Sequence, residues 1–177
     1  ITIPDTKMER RQLSHEETPT LTHKADVVLV LDGLIQTQNI GALLRSANAF
    51  GVREVWVRTD RVDHVTAKAK KVSRLGKAMM PVHFMTEVGA IASRLEEQNR
   101  LLLGVELSTD QAWLHEYQFP ERPLALALGA EKEGMSPEMM DLCSQMLAVP
   151  LYGTVSSLNV ATAGAIALYE LARQSIE

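Results

Sequence analysis

The chain alternates between short, unbroken apolar runs and longer stretches in which apolar residues recur every three or four positions. Asp26-Val27-Val28-Leu29-Val30-Leu31 is a nearly continuous β-branched and aliphatic run, the form taken by a strand buried on both faces of a parallel sheet. After a polar turn through Gln36, Thr37, Gln38 and Asn39, the positions Ile40, Leu43, Leu44, Ala47 and Phe50 fall at helical spacing. This predicts an amphipathic helix closed by Gly51. The alternation continues with a strand at Glu54–Val57, a helix near Val65–Leu75, a short strand at Val82–Met85 and a helix over Val88–Asn99. Strands at Leu101–Val105 and Leu124–Leu128 follow, then a short one at Met146–Val149 and a closing helix from Asn159 to Gln174. Helices interleaved with buried strands predict an α/β fold: a parallel sheet with helices on both faces and ligands at the carboxyl ends of the strands. Residues 1–25 are polar and carry Pro4 and Pro19 without sustained periodicity. They read as an arm, with room for a short helix over Lys7–Glu17, ahead of a domain spanning 26–177.

Composition narrows the class. With 177 residues, 46% of them hydrophobic, the chain can bury one good core but is short for two domains. Its apolar runs fall well below the ~20 residues of a membrane span, and no signal peptide opens it. The expectation is a cytoplasmic protein with no membrane partner. The single cysteine, Cys143, has no partner for a disulfide and reads as a small buried residue. The histidines at 15, 23, 64, 83 and 115 are dispersed, without metal-ligand spacing, so no metal is expected. His64 and His83 read as surface or packing residues.

A net charge of −4 is unfavourable for a protein that binds nucleic acid, because neutralising phosphates supplies much of non-specific affinity. A local patch can differ from the whole. Lys68, Lys70, Lys71, Arg74 and Lys77 fall within ten positions with no acid between them. They form either a phosphate-facing RNA surface or an ordinary solvated helix face.

Familiar nucleotide and hydrolase signatures are missing. The chain has no G-x-G-x-x-G after its first strand, no G-x-x-x-x-G-K-[ST], no G-x-S-x-G elbow and no H-E-x-x-H, which argues against Rossmann, P-loop, serine hydrolase and zincin chemistry. What stands out is three segments rich in small and polar residues, each just after a predicted strand: Gln36–Ala47, Gly129–Gly134 and Gly153–Ala161. In the first, Asn39 is placed to cap the helix, with Arg45 six residues on, nearly two turns along. In the second, glycine permits close approach of the backbone to a ligand. In the third, residues as small as Ala161, Ala163, Gly164 and Ala165 suit a tightly threaded loop or a subunit interface.

These segments resemble, in order and separation, three motifs of the SpoU/TrmH branch of the SPOUT RNA methyltransferases. The motifs are N-x-x-A-x-x-R-x-A at Asn39–Ala47, G-x-E-x-x-G at Gly129–Gly134 and P-x-x-G-x-x-x-S-L-N-V at Pro150–Val160. The resemblance covers about residues 26–174. It implies a carboxyl-terminal deep trefoil knot, a rare exception to un-knotted topology. It also implies a homodimer, S-adenosyl-L-methionine as methyl donor and a ribose 2′-hydroxyl in transfer RNA or ribosomal RNA as acceptor. Asp32 and Gly33, in the segment before Asn39, depart from the family's short turns without disturbing the motif.

By the same resemblance Arg45 is the catalytic arginine, and Asn39, Glu131, Ser157 and Asn159 complete the catalytic set. Asn39 positions Arg45 or the ribose, or simply caps its helix. Glu131 anchors Arg45 or the motif loops. Ser157 and Asn159 bridge cofactor to substrate, or cap the final helix. Cofactor contacts fall, by position, on backbone groups of Val105, Gly129, Val149, Leu151 and Leu158. A guanidinium rarely gives up its proton, so Arg45 is better suited to orient an RNA phosphate and stabilise a developing alkoxide than to act as a base. The base is then the phosphate, water or a transiently neutral arginine. Two alternatives compete. One is a non-catalytic RNA-binding or assembly module on the same fold, which need not keep all five motif residues. The other is a methyltransferase acting on a guanine ring nitrogen, which the Asn39/Arg45 and Ser157-Leu158-Asn159 pattern disfavours.

Overall fold

A computed structural model describes residues 11–14, 17–19, 22–34, 36–60 and 80–176. Among the described residues seven strands form one sheet: β1 (Val27–Asp32), β2 (Val55–Arg58), β3 (Val82–Met85), β4 (Leu101–Val105), β5 (Ala112–Trp113), β6 (Leu124–Leu128) and β7 (Gln145–Ala148). Their order is β3-β2-β1-β6-β4-β7-β5, and each neighbouring pair is parallel. The four described helices are α1 (Thr37–Ala49), α2 (Val88–Glu97), α3 (Pro137–Leu142) and α4 (Val160–Gln174).

The unbroken apolar runs become the central strands because both sheet faces are covered. Along β1, Val27, Leu29 and Leu31 point into one core with Ile40, Leu43, Leu44 and Ala47 of α1 and Ala167, Leu168 and Leu171 of α4. Val28 and Val30 point into the other, with Trp56, Ile91 and Leu95 of α2 and Met139 of α3. Every residue of β1 and β6 is buried, as a central parallel strand requires. The expected parallel α/β sheet with helices on both faces is therefore present.

Two elements escaped the sequence reading. β5 has two residues and α3 six, too few to show a period. The start of α1 also differs from expectation. Gln36 stands at its N-cap without a side-chain capping bond, so Asn39 is the third residue inside the helix and does not cap it. The predicted helix over Val65–Leu75 lies outside the described residues. Among those described, no helix is long and apolar enough to cross a membrane.

Gly164, at the start of α4, also finds its reason here. A Cβ on Gly164 would lie 2.5 Å from Leu43 Cδ2 and 2.7 Å from Leu128 Cδ1. The close approach is thus α4 lying on α1 and β6 within one chain. At the amino end of β2, buried Glu54 accepts from Arg94 Nη2 at 3.1 Å and Gln98 Nε2 at 3.3 Å and meets His83 Nε2 at 2.8 Å. His83 therefore packs against the Glu54 carboxylate at the amino ends of the strands, away from the motifs.

Candidate functional site

Parallel strands deliver their following loops to one edge, and here that edge collects all three motif segments. The loop after β6 closes on itself: Ala130 N donates to Gly134 O at 2.8 Å and Gly134 N returns the bond to Ala130 O at 3.0 Å. Gly134 sits at φ +71°, and a Cβ on Gly129 would lie 2.1 Å from Met135 N. The glycines of this motif are demanded by the loop's own closure. Close approach to a ligand is not needed to explain Gly129.

Closing the loop this way directs Glu131 toward α1. Asn39 Nδ2 donates to Glu131 Oε1 at 2.8 Å, Asn159 Nδ2 donates to Asn39 Oδ1 at 3.0 Å, and Asn159 Oδ1 accepts from Ala161 N at 2.9 Å and Thr162 N at 3.3 Å. Each motif contributes one side chain to this relay. Its direction is fixed, because a carboxylate can only accept and a backbone N–H can only donate, which sets both asparagine amides. Asn159 is the N-cap of α4 as well, so its capping role stands beside its bond to Asn39.

A cavity of ≈ 690 Å³ lies beside the relay, bounded by Asn39, Val105, Gly129, Glu131, Ser157, Leu158 and Asn159 among others. A narrower slot of ≈ 70 Å³, lined by Val105, Glu106, Leu147, Val149, Leu151 and Leu158 among others, shares several of these walls. All five residues assigned by position to the cofactor therefore border one or other of these adjoining spaces, which share Val105 and Leu158. Their strand-end backbone and aliphatic walls, with polar groups at one side, have the composition of a nucleoside site. Ser157 lines both spaces with an exposed side chain.

Arg45 is not brought to this group. It is exposed, stands about 120° around α1 from Asn39 at 100° per residue, and borders neither space. Glu131 bonds Asn39, not Arg45. The basic residues Lys68, Lys70, Lys71, Arg74 and Lys77 lie outside the described residues, and the described ones include no cluster of His, Cys, Asp and Glu fit to hold a metal ion.

The sequence reading gave Asp32 no part in the site. Its carboxylate is fully buried, accepts from Ser136 N at 2.7 Å and is ion-paired with Arg58 Nε. It ties the end of β1 to the exit of the Gly129–Gly134 loop and to the end of β2. An acidic residue closing an otherwise apolar strand was the available signal, since a buried carboxylate needs partners.

Comparison with known proteins identifies the family. The family model described as "SpoU rRNA Methylase family" matches residues 26–169. The chain belongs to this family. The 23S rRNA (guanosine-2′-O-)-methyltransferase RlmB of Salmonella typhi is 37% identical over 166 residues, covering 93% of this chain and 68% of that protein. The RlmB of Escherichia coli K12 gives the same figures. Among solved structures, a putative RNA methyltransferase of the TrmH family from Porphyromonas gingivalis superposes with TM-score 0.75 at 31% identity, covering 90% of this chain and 63% of that one. The SpoU methyltransferase AviRb from Streptomyces viridochromogenes, in complex with AdoMet, gives TM-score 0.74 at 25% identity, covering 91% and 64%. The chain thus spans less than two thirds of these solved chains. Membership agrees with the family that the three motifs resemble.

Proposed function

We propose that this protein transfers a methyl group from S-adenosyl-L-methionine to a ribose 2′-hydroxyl of ribosomal RNA. It acts as a cytoplasmic homodimer whose methyltransferase domain spans residues 26–177 behind an arm at 1–25, with the carboxyl-terminal chain threaded as a trefoil knot. The observation that carries the reading is the Glu131–Asn39–Asn159 relay at the edge of the recess, which joins one residue from each motif. The relatives named as 23S rRNA (guanosine-2′-O-)-methyltransferases support the acceptor.

When bound, the donor supplies a methyl activated on a sulfonium with a good leaving group. The chain's residues must then align an oxygen with that methyl and ease the loss of its proton. The aliphatic slot formed by Val105, Val149, Leu151 and Leu158 holds the nucleoside end and excludes water. The relay fixes the loops that frame the recess, and Ser157 and Asn159 face the incoming ribose. Arg45, exposed and off the recess of its own chain, presents its guanidinium across the subunit interface to an RNA phosphate and the developing alkoxide. Lys68–Lys77 supplies the wider RNA surface.

The deciding experiment is transfer of labelled methyl from S-adenosylmethionine to total RNA, with modified riboses mapped by resistance to alkaline cleavage. Label at alkali-resistant positions in ribosomal RNA, lost in Arg45→Ala, is expected. Label in transfer RNA moves the substrate, label on a base moves the chemistry, and cofactor binding without transfer to any RNA overturns the reading.

A further inference from the structure

Glu106 follows directly on β4, and its backbone N–H donates to Leu147 O at 3.1 Å, so β7 fixes where the side chain starts. One carboxylate oxygen, Oε1, accepts from Leu107 N at 3.0 Å. The other, Oε2, lies 3.2 Å from where a Cβ on Gly134 would stand, in the gap between the β4 loop and the loop of the second motif. No cation among the described residues pairs with it, in contrast to Glu54, Asp26 and Asp32. Glu131 has an amide partner in Asn39. Glu106 is thus a carboxylate pinned by one backbone bond, with acceptor capacity left over.

Its place gives that capacity a use. Glu106 lines both the slot and the wider recess, at their junction. The slot's walls, Leu147, Val149, Leu151 and Leu158, are aliphatic and suit the flat face of a purine. A group at the slot's mouth is then one sugar's reach from the base. An acidic side chain just beyond a parallel strand is the general solution for holding a ribose diol, because the hydroxyls donate and the carboxylate accepts.

We propose that Glu106 accepts hydrogen bonds from the ribose hydroxyls of the methyl donor's adenosine and makes the recess selective for ribonucleosides over deoxyribonucleosides. This rests on the donor assignment above. The rival ligand groups for the same carboxylate are the sulfonium and the α-ammonium of the donor, and the test separates all three.

The test is calorimetric titration of the full chain and its Glu106→Gln and Glu106→Ala variants. The ligands are S-adenosylmethionine, S-adenosylhomocysteine, 5′-methylthioadenosine and the 2′- and 3′-deoxy forms of methylthioadenosine. Glu106→Ala is expected to weaken the three ribonucleosides by a common factor of about 10, the scale of a hydrogen bond to a charged group. The isosteric Glu106→Gln should fall between it and wild type. Wild type should bind at least one deoxy form about 10-fold more weakly than methylthioadenosine, and Glu106→Ala should bind the two almost alike, since the lost partner is the same. The proposal is overturned if Glu106→Ala keeps the deoxy discrimination, if S-adenosylmethionine suffers far more than S-adenosylhomocysteine, or if methylthioadenosine alone is spared. Failure of wild type to bind any of these ligands removes the donor assignment itself and this proposal with it.

Discussion

Asn39 engages both halves of its amide inside the protein, donating to Glu131 and accepting from Asn159, and is only 8% exposed. Truncating it removes the bonds to the half-buried Glu131 and to the exposed Asn159, a net loss of about 0.5–1.5 kcal/mol for each bond. Arg45, six residues along the same helix, is exposed and has no hydrogen-bond or ion-pair partner among the described residues. We expect Asn39→Ala to lower the denaturation midpoint clearly, with a non-additive double-mutant cycle against Glu131→Gln. Arg45→Ala should move stability by no more than about 0.5 kcal/mol while abolishing methyl transfer. A large stability loss in Arg45→Ala would show a structural role that the fold does not indicate. Cys143 is a different case, since burial first, and then the negative charge of Asp32, push its thiol up to about 12. A raised folded value means the thiolate forms more readily in the unfolded chain. The resulting stability is fully present below the ordinary thiol value of about 8.5 and is lost as pH rises from there toward the folded value. Alkylation with iodoacetamide at pH 8 is expected to be much slower in the native protein than in urea. Equal rates would place the thiol in water.

Among the elements, the α4–α1–β6 junction is where a single atom matters most. Gly164 has no room for a methyl group between Leu43 and Leu128, so Gly164→Ala must displace α4 or both leucines. The overpacking cost of about 1–3 kcal/mol outweighs the helix propensity gained from alanine, about 1 kcal/mol. A lower melting temperature, with weaker donor binding because Asn159 rides on the same helix, is the expected result. An unchanged or raised melting temperature would show that the junction relaxes freely. These junctions also mark how far the sequence could be read. β1, β4 and β6 were legible because double-sided burial leaves an uninterrupted apolar run, and α1 and α4 because one-sided burial leaves a helical period. The two-residue β5 and six-residue α3 carry no period to read. Asn39, Glu131 and Asn159 were identifiable from motif spacing, yet spacing does not say which amide bonds which carboxylate. Glu131 was expected to reach Arg45 or the loops, and it is the loop closure at Gly129 and Gly134 that directs it to Asn39. Asp32 looked like a turn irregularity because its partners, Arg58 and Ser136, lie 26 and 104 residues away.

For the whole molecule, the recess and Arg45 pull in different directions unless a second copy is present. One chain gathers the relay and the cofactor-assigned residues on the carboxyl edge but leaves Arg45 facing solvent away from them. It also leaves Tyr152 91% and Val155 63% exposed on the third-motif loop and Tyr169 56% exposed on α4. Large hydrophobic side chains exposed on the third-motif loop and on α4 are costly for a monomer and ordinary for a face that is covered. A two-fold homodimer covers the same patch on both copies and can bring each arginine to the other's recess. Sedimentation equilibrium at micromolar concentration is expected to give twice the mass of a 19.6 kDa chain, with Tyr152→Glu shifting it toward monomer. If Arg45 serves the recess across that interface, mixing inactive Arg45→Ala with inactive Asn159→Ala should restore part of the transfer, because the mixed dimer holds one intact site. If each chain supplies its own arginine, the mixed dimer holds no intact site and the mixture stays inactive. A monomeric wild type would remove the shared-site arrangement, leaving Arg45 to reach the RNA from outside the recess.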